Sequence, residues 1–256
     1  GGHAVKPYYE RDGITLYQGD CRDVLPTLGQ VDLVLTDPPY GIGWKRGVNH
    51  ARLSPANAGI ANDEDTSARD WILEHATVPA VVFGSFYAPF PSRVRQVLVW
   101  QKPPDAGLVG SVTGCRRDAE PIFLVGDWPV RTVERSSVFR SRGGQAATCA
   151  ETGHPHTKPL PLMLELVSLF TDPGETILDP FAGSGTTLVA AYQLGRKAIG
   201  VELEEKWCEV TARRLEACTP PLFTVPAEKP QQLTWEGPAG AEWMHTVGAG
   251  PLDVAE

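Results

Sequence analysis

No stretch of the 256 residues approaches the roughly 20 consecutive apolar positions that a membrane-spanning helix needs. The segment from Gly1 to Gly13 lacks the apolar run of a secretory signal, so secretion is not expected. Cysteine is sparse. The five (Cys21, Cys115, Cys149, Cys208 and Cys218) are odd in number, and none are spaced C-x-x-C. Neither a zinc site nor a disulfide framework follows, and a reducing cytoplasm is the expected setting. The 6 histidines show no metal-ligand spacing, so no metal is expected. Nor is there an excess of positive charge: 23 Lys and Arg stand against 31 Asp and Glu, a formal net charge of −8. A uniformly basic nucleic-acid binder is thereby excluded. The distribution is uneven, however. Residues 93–142 carry nine cations against five acids, while residues 219–256 carry one lysine against five acids. A basic face on an acidic protein remains open.

What is present suits a folded core: 42% of residues are hydrophobic and 21% charged. The spacing predicts strands at 14–20, 31–37, 80–85, 97–102, 120–126, 175–180 and 197–202. Helices are predicted at about 21–28, 66–76, 91–96, 161–170, 186–194 and 204–217. Residues 41–64 read as a long loop, and long loops inside compact domains are usually functional. Residues 127–157 show little periodicity. The Pro- and Gly-rich residues 219–256 read as an acidic tail. Alternating strands and helices indicate a parallel sheet with helices on both faces. Ligands of such sheets bind beyond the strands' carboxyl ends. Asp20, Asp37, Asp179 and Glu202 all fall at such ends, and so are expected on one rim.

Two motifs carry chemistry. In Asp179-Pro180-Phe181-Ala182-Gly183-Ser184-Gly185-Thr186-Thr187, the glycines permit a tight strand-to-helix bend and close approach of a ligand to the main chain. Glu202, ending the next strand, can accept from both hydroxyls of a ribose. No lysine follows the second glycine, so this is not a phosphate-gripping loop. The pattern indicates an adenosine-type cofactor, or else only a tight connection. In Asp37-Pro38-Pro39-Tyr40, the prolines fix φ and remove two backbone donors. The Asp37 carboxylate and the Pro38 carbonyl are then acceptors for an exocyclic amino group, and the Tyr40 ring offers a stacking face. On this reading the ring matters and the hydroxyl does not. Taken alone, the tetrad reads equally well as a strand-ending turn.

Together these residues resemble the amino-methylating DNA methyltransferases, which act on adenine N6 or cytosine N4. Gly19-Asp20, the VWQK stretch around Trp100 and Lys102, and H-P-x-x-K-P at His154 to Pro159 also match. The resemblance spans about residues 14–217, and the tetrad precedes the cofactor loop, as in the family's beta group. It implies a Rossmann-like α/β fold with a mostly parallel, seven-stranded sheet and one reversed strand. Residues 1–218 would form the catalytic domain, with a short target-recognition insert at about 127–155. S-adenosylmethionine is the implied cofactor. Phe181, Gly183, Ser184, Gly185 and Thr186 would surround its methionine part, with Asp179 at the strand end and Lys158 near its carboxylate. Glu202 would hold the ribose, and Asp20 with Cys21 would face the adenine. Asp37, Pro38, Pro39 and Tyr40 would be catalytic, holding the target base.

Double-stranded DNA is the implied partner, and a target inside a duplex must be flipped out. Arg131, Arg135, Arg140 and Arg142 would contact phosphates or guanines, with Lys45 and Arg46 on a lid over the base. No membrane partner is expected. The short insert leaves room for a second subunit to complete the DNA footprint, so a homodimer is one expectation. Aspartate at the first tetrad position favours adenine N6, since family members acting on cytosine N4 more often have serine there. A nucleotide-dependent oxidoreductase, a catalytically silent DNA-binding module and an RNA substrate are the other readings.

Overall fold

A computed structural model describes residues 5–42, 63–102, 117–129, 135–141, 145–154 and 156–219. Its sheet has nine strands: β1 (Tyr9–Arg11), β2 (Ile14–Gln18), β3 (Leu33–Thr36), β4 (Ala80–Phe83), β5 (Val94–Gln101), β6 (Ala119–Val125), β7 (Val138–Arg140), β8 (Thr176–Asp179) and β9 (Lys197–Glu202). They lie in the order β1-β2-β9-β8-β3-β4-β6-β5-β7. From β2 to β4 all pairings are parallel, and β6 is reversed between β4 and β5. That is the expected seven-stranded sheet with one reversed strand. Two three-residue edge strands extend it, β1 antiparallel to β2 and β7 parallel to β5.

The helices are α1 (Cys21–Val24), α2 (Ser67–His75), α3 (Gln145–Thr152), α4 (Leu160–Phe170), α5 (Thr186–Gln193) and α6 (Glu205–Ala217). β3 and β4 are buried at every position, which is why they read as continuous apolar runs rather than alternating ones. α5 buries Thr186 through Tyr192 without a break against the sheet and its neighbours. The main core joins Phe83, Trp100, Ile122 and Phe139 on one side to Leu166, Leu188 and Ala198 on the other. Phe83 and Trp100 meet edge to face, with centroids 6.3 Å apart.

Residues 91–96 do not form the predicted helix. Ser92 and Arg93 make a turn, with Arg93 at φ +59°, and β5 begins at Val94, opposite Val125 with a bulge before Gln96. Long-range pairing with β6 overrides the local spacing. Residues 127–157, which lacked periodicity, hold β7 and α3. A three-residue strand is too short to show a period. The predicted loop at 41–64 and the tail at 219–256 lie mostly outside the described residues.

The parallel register brings the strand ends together. Gln18 stands opposite Glu202, Asp179 opposite Gly200, and Val34 opposite Leu178. Asp20, Asp37, Asp179 and Glu202 therefore share one rim. Behind that rim, Gly185 sits at φ +76° as the N-cap of α5, and a Cβ there would meet Thr211 Cγ2 of α6 at 2.3 Å. Both the backbone conformation and the space require glycine. Gly185→Ala should cost about 2–4 kcal/mol through strain and overpacking. Denaturant unfolding measures this directly, and an unchanged midpoint would show that α6 yields to the added methyl group.

Candidate active site

One cavity of about 530 Å³ runs along the rim and is lined by both motifs. Gly19 to Arg22, Phe181 to Ser184, Glu202 to Glu204 and Trp207 form one half. Asp37 to Tyr40, Ser85 to Tyr87, Lys102, Glu120 and Lys158 form the other. The volume is within the usual range for small-molecule sites.

In the first half, Glu202 is aimed by the backbone. Its Oε2 accepts from Gly183 N at 2.8 Å and its Oε1 from Glu204 N at 2.8 Å. Each oxygen keeps an outer lone pair for a ligand hydroxyl. Burial pushes the Glu202 carboxyl up, against these two backbone donors. The Gly-rich turn closes largely on itself. Gly185 N donates to Ala182 O at 2.7 Å and Ala182 N to Val201 O at 2.9 Å. Of the turn's amides, the one on Gly183 serves Glu202.

Asp20 caps α1, accepting from Arg22 N and Arg22 Nε, both at 2.9 Å, and Arg22 holds its carboxyl low. Cys21 is buried, which pushes its thiol up to about 11. It is an inert packing group. Ser184 Oγ lies 2.9 Å from Thr157 Oγ1, which is 2.7 Å from Thr152 Oγ1. Thr186 Oγ1 accepts from Arg214 at 3.1 Å. This buried hydroxyl chain was not visible in the sequence, because its members lie on three separate segments.

The second half is denser in charge. Asp37 Oδ1 accepts from the Tyr40 hydroxyl at 2.8 Å, and its Oδ2 accepts from Lys158 Nζ at 2.6 Å. Lys158 also reaches the Tyr40 hydroxyl at 3.2 Å. Burial raises the Tyr40 hydroxyl well above its ordinary value, with Asp37 adding to the effect, so it stays a donor. Burial opposes the charge on Lys158, yet Asp37 and Glu120 overcome that and hold its ammonium above the usual range.

The Tyr40 hydroxyl, expected to play no part, is bonded to both Asp37 and Lys158. Lys158, expected beside a cofactor carboxylate, is bound here to the half-buried Asp37 carboxylate in the substrate half. Glu120 was read only as the start of a strand. It pairs with Lys102 at 2.5 Å and faces Lys158 at 3.6 Å. The available signal was an acid opening an apolar strand, E-P-I-F-L-V.

His154 sits edge-on to Trp207, with centroids 4.5 Å apart, and burial pulls its imidazole down to about 4. It is neutral, and shapes the turn before Lys158. Among the expected DNA contacts, Arg135 pairs with Glu165 and lies over the Phe139 ring, while Arg140 is exposed and donates to Gln101 Oε1 at 3.0 Å. Lys45, Arg46, Arg131 and Arg142 lie outside the described residues. No metal-binding cluster occurs among the described residues, and no helix there is long and apolar enough to cross a membrane.

A doubly wound sheet with a reversed strand beside β4, and a Gly-rich turn leading out of β8, defines a Rossmann-like methyltransferase. The comparisons make this more specific. A family model described as DNA methylase, for N6 and N4 amino groups, matches residues 93–213. The chain is 30% identical over 243 residues to "Putative methylase YubD" of Escherichia coli (strain K12), covering 89% of this chain and 96% of that one. It is 24% identical over 260 residues to Type II methyltransferase M2.MboI of Moraxella bovis, covering 85% and 94%. Among solved structures, the M1.HpyAVI–SAM complex aligns with TM-score 0.53 at 23% identity, over 79% of this chain and 98% of that one. PvuII DNA methyltransferase (cytosine-N4-specific) aligns with TM-score 0.55 at 19% identity, over 86% and 99%. The chain belongs to the N6/N4 DNA methylase family, and is a DNA methyltransferase.

Asp179 provides a stability test. It is 3% exposed, and burial pushes its carboxyl up to about 6, against hydrogen bonds from Thr187 and Thr36. Because the folded value exceeds the unfolded one, its contribution to stability is complete below about pH 4 and is lost as pH rises through about 6. Asp179→Asn should therefore stabilise the fold by up to about 3 kcal/mol more at about pH 8 than at about pH 4. Thermal unfolding at the two pH values measures the difference, and equal increments would mean that the carboxylate is not charged at a cost.

Proposed function

We propose that the chain transfers a methyl group from S-adenosylmethionine to N6 of an adenine flipped out of double-stranded DNA. The observation that carries this reading is the Asp37 carboxylate, fixed from both sides at the mouth of a cavity that continues to Glu202. S-adenosylmethionine supplies the electrophilic methyl group. The residues of the first half suit it. Glu202 keeps two outer lone pairs for ribose hydroxyls, Asp20 and Cys21 edge the position for its adenine, and Phe181 to Thr186 enclose the remainder.

Asp37 and the Pro38 carbonyl accept the two N–H bonds of the target amine, which directs its lone pair toward the cofactor half. The chain contributes orientation, and a carboxylate beside the positive charge that develops on the amine nitrogen. No covalent bond to the protein is required, which agrees with the raised, unreactive thiols of Cys21 and Cys208. Aspartate at position 37 favours adenine. Cytosine N4 is the second reading, since it would use the same acceptors. Arg135 and Arg140, with Lys45, Arg46, Arg131 and Arg142, would contact the duplex, and a homodimer would extend that contact.

Asp37→Ala should leave cofactor affinity intact and lower the transfer rate by about 10²–10³. The assay is transfer of tritiated methyl to unmethylated DNA, followed by sequencing of modified bases. Methylated cytosine in place of adenine would overturn the adenine assignment, and a wild-type rate in the variant would overturn the role of Asp37. Glu202→Ala should weaken S-adenosylmethionine binding by about 10- to 150-fold, on the order of 1.5–3 kcal/mol, in calorimetry on folded protein. Unchanged affinity would remove Glu202 from the site.

A further inference from the structure

Two carboxylates and two ammonium groups share the substrate half of the cavity, and their pairing is lopsided. Lys102 Nζ holds Glu120 Oε1 at 2.5 Å. Lys158 Nζ holds Asp37 Oδ2 at 2.6 Å. Glu120 Oε2 is buried and makes no hydrogen bond, and Lys158 Nζ lies 3.6 Å from it, beyond hydrogen-bonding distance. An ammonium has three donors. Lys158 uses one on Asp37 and one on the Tyr40 hydroxyl. Apart from its longer ion pair with Glu120, the ammonium faces aromatic rings, 4.9 Å from the centroid of Phe83, 5.6 Å from Tyr40 and 5.8 Å from Trp100. Ring faces attract a cation without fixing its direction, so these walls let the ammonium slide.

This arrangement conflicts with methyl transfer. The amine that Asp37 must hold competes with Lys158 for Oδ2. As the methyl group arrives, positive charge grows on that amine beside an ammonium already in contact with the same carboxylate. We infer that Glu120 is a positioning residue for the reaction: its Oε2, which makes no hydrogen bond and faces Lys158 only at ion-pair distance, is a second seat for the Lys158 ammonium, which moves fully onto it when the target amine occupies Asp37. A shift of about 1 Å turns the 3.6 Å separation into a hydrogen bond. Lys102 keeps Glu120 in place throughout by holding the other oxygen. Lys158 here holds Asp37 closely and Glu120 at a distance, and the target amine would reverse that order.

The inference rests on the proposed role of Asp37, and the tests keep the two apart. Glu120→Gln preserves shape and removes the charge of the second seat. With unmethylated genomic DNA and tritiated S-adenosylmethionine, kcat should fall about 10- to 100-fold while KM for S-adenosylmethionine stays within about twofold. Thermal unfolding and cofactor calorimetry establish that the variant is folded. In protein labelled with ¹⁵N at lysine Nζ, the Lys158 resonance should shift on addition of DNA to the wild type, and should stay in place in Glu120→Gln. A wild-type kcat in Glu120→Gln, or a Lys158 resonance that moves equally in both proteins, overturns the second seat. If Asp37→Ala retains full activity, the reading of Asp37 fails first, and the second seat falls with it.

Discussion

A buried hydrogen bond from Thr36 Oγ1 to Asp179 Oδ1, at 2.7 Å, ties the end of β3 to the end of β8. The two residues are 143 positions apart in sequence. One immediately precedes the Asp37 tetrad, and the other opens the Gly-rich turn. Everything the site does requires that these ends stay level, because the substrate half hangs from one and the cofactor half from the other. The same carboxylate also accepts from Phe181 N at 3.2 Å, so it shapes the turn that it anchors. Burying Asp179 is unfavourable by itself, and three donors around it make it tolerable.

The two halves of the cavity use charge differently. In the cofactor half, backbone amides hold the Glu202 carboxylate, which is aimed rather than neutralised. In the substrate half, carboxylates and ammonium groups neutralise one another behind a wall of aromatic rings. A neutral ligand with hydroxyls suits the first. The second suits an amine that gains positive charge only while it reacts, because such a site must be balanced before and during that change.

Much of this was legible in the residues. Apolar runs ending in acids gave the parallel strands and their shared rim, since burial on both faces erases alternation and leaves a strong signal. The two motifs located both halves of the cavity. What the residues hid were consequences of register. Glu120 stands opposite Trp100 only because β5 and β6 are antiparallel, and that pairing also turned residues 94–96 from an expected helix into strand. Lys158 was placed by its neighbours in sequence, yet its partner, Asp37, lies 121 residues away. The hydroxyls of Thr152, Thr157 and Ser184 form a chain only once α3 and the turn before α5 are packed.

The strand order has a consequence for synthesis on the ribosome. The amino-terminal β2 has β9 as its parallel neighbour, and β3 has β8 on one side. Among the described residues, only β8 and β9 join the β1–β2 hairpin to the β3-β4-β6-β5-β7 group, so without them each would present an open edge. Such edges invite pairing with other chains. β8 and β9 fill the gap between β2 and β3, so the two edges and the two halves of the cavity are joined by the same pair of late-synthesised strands.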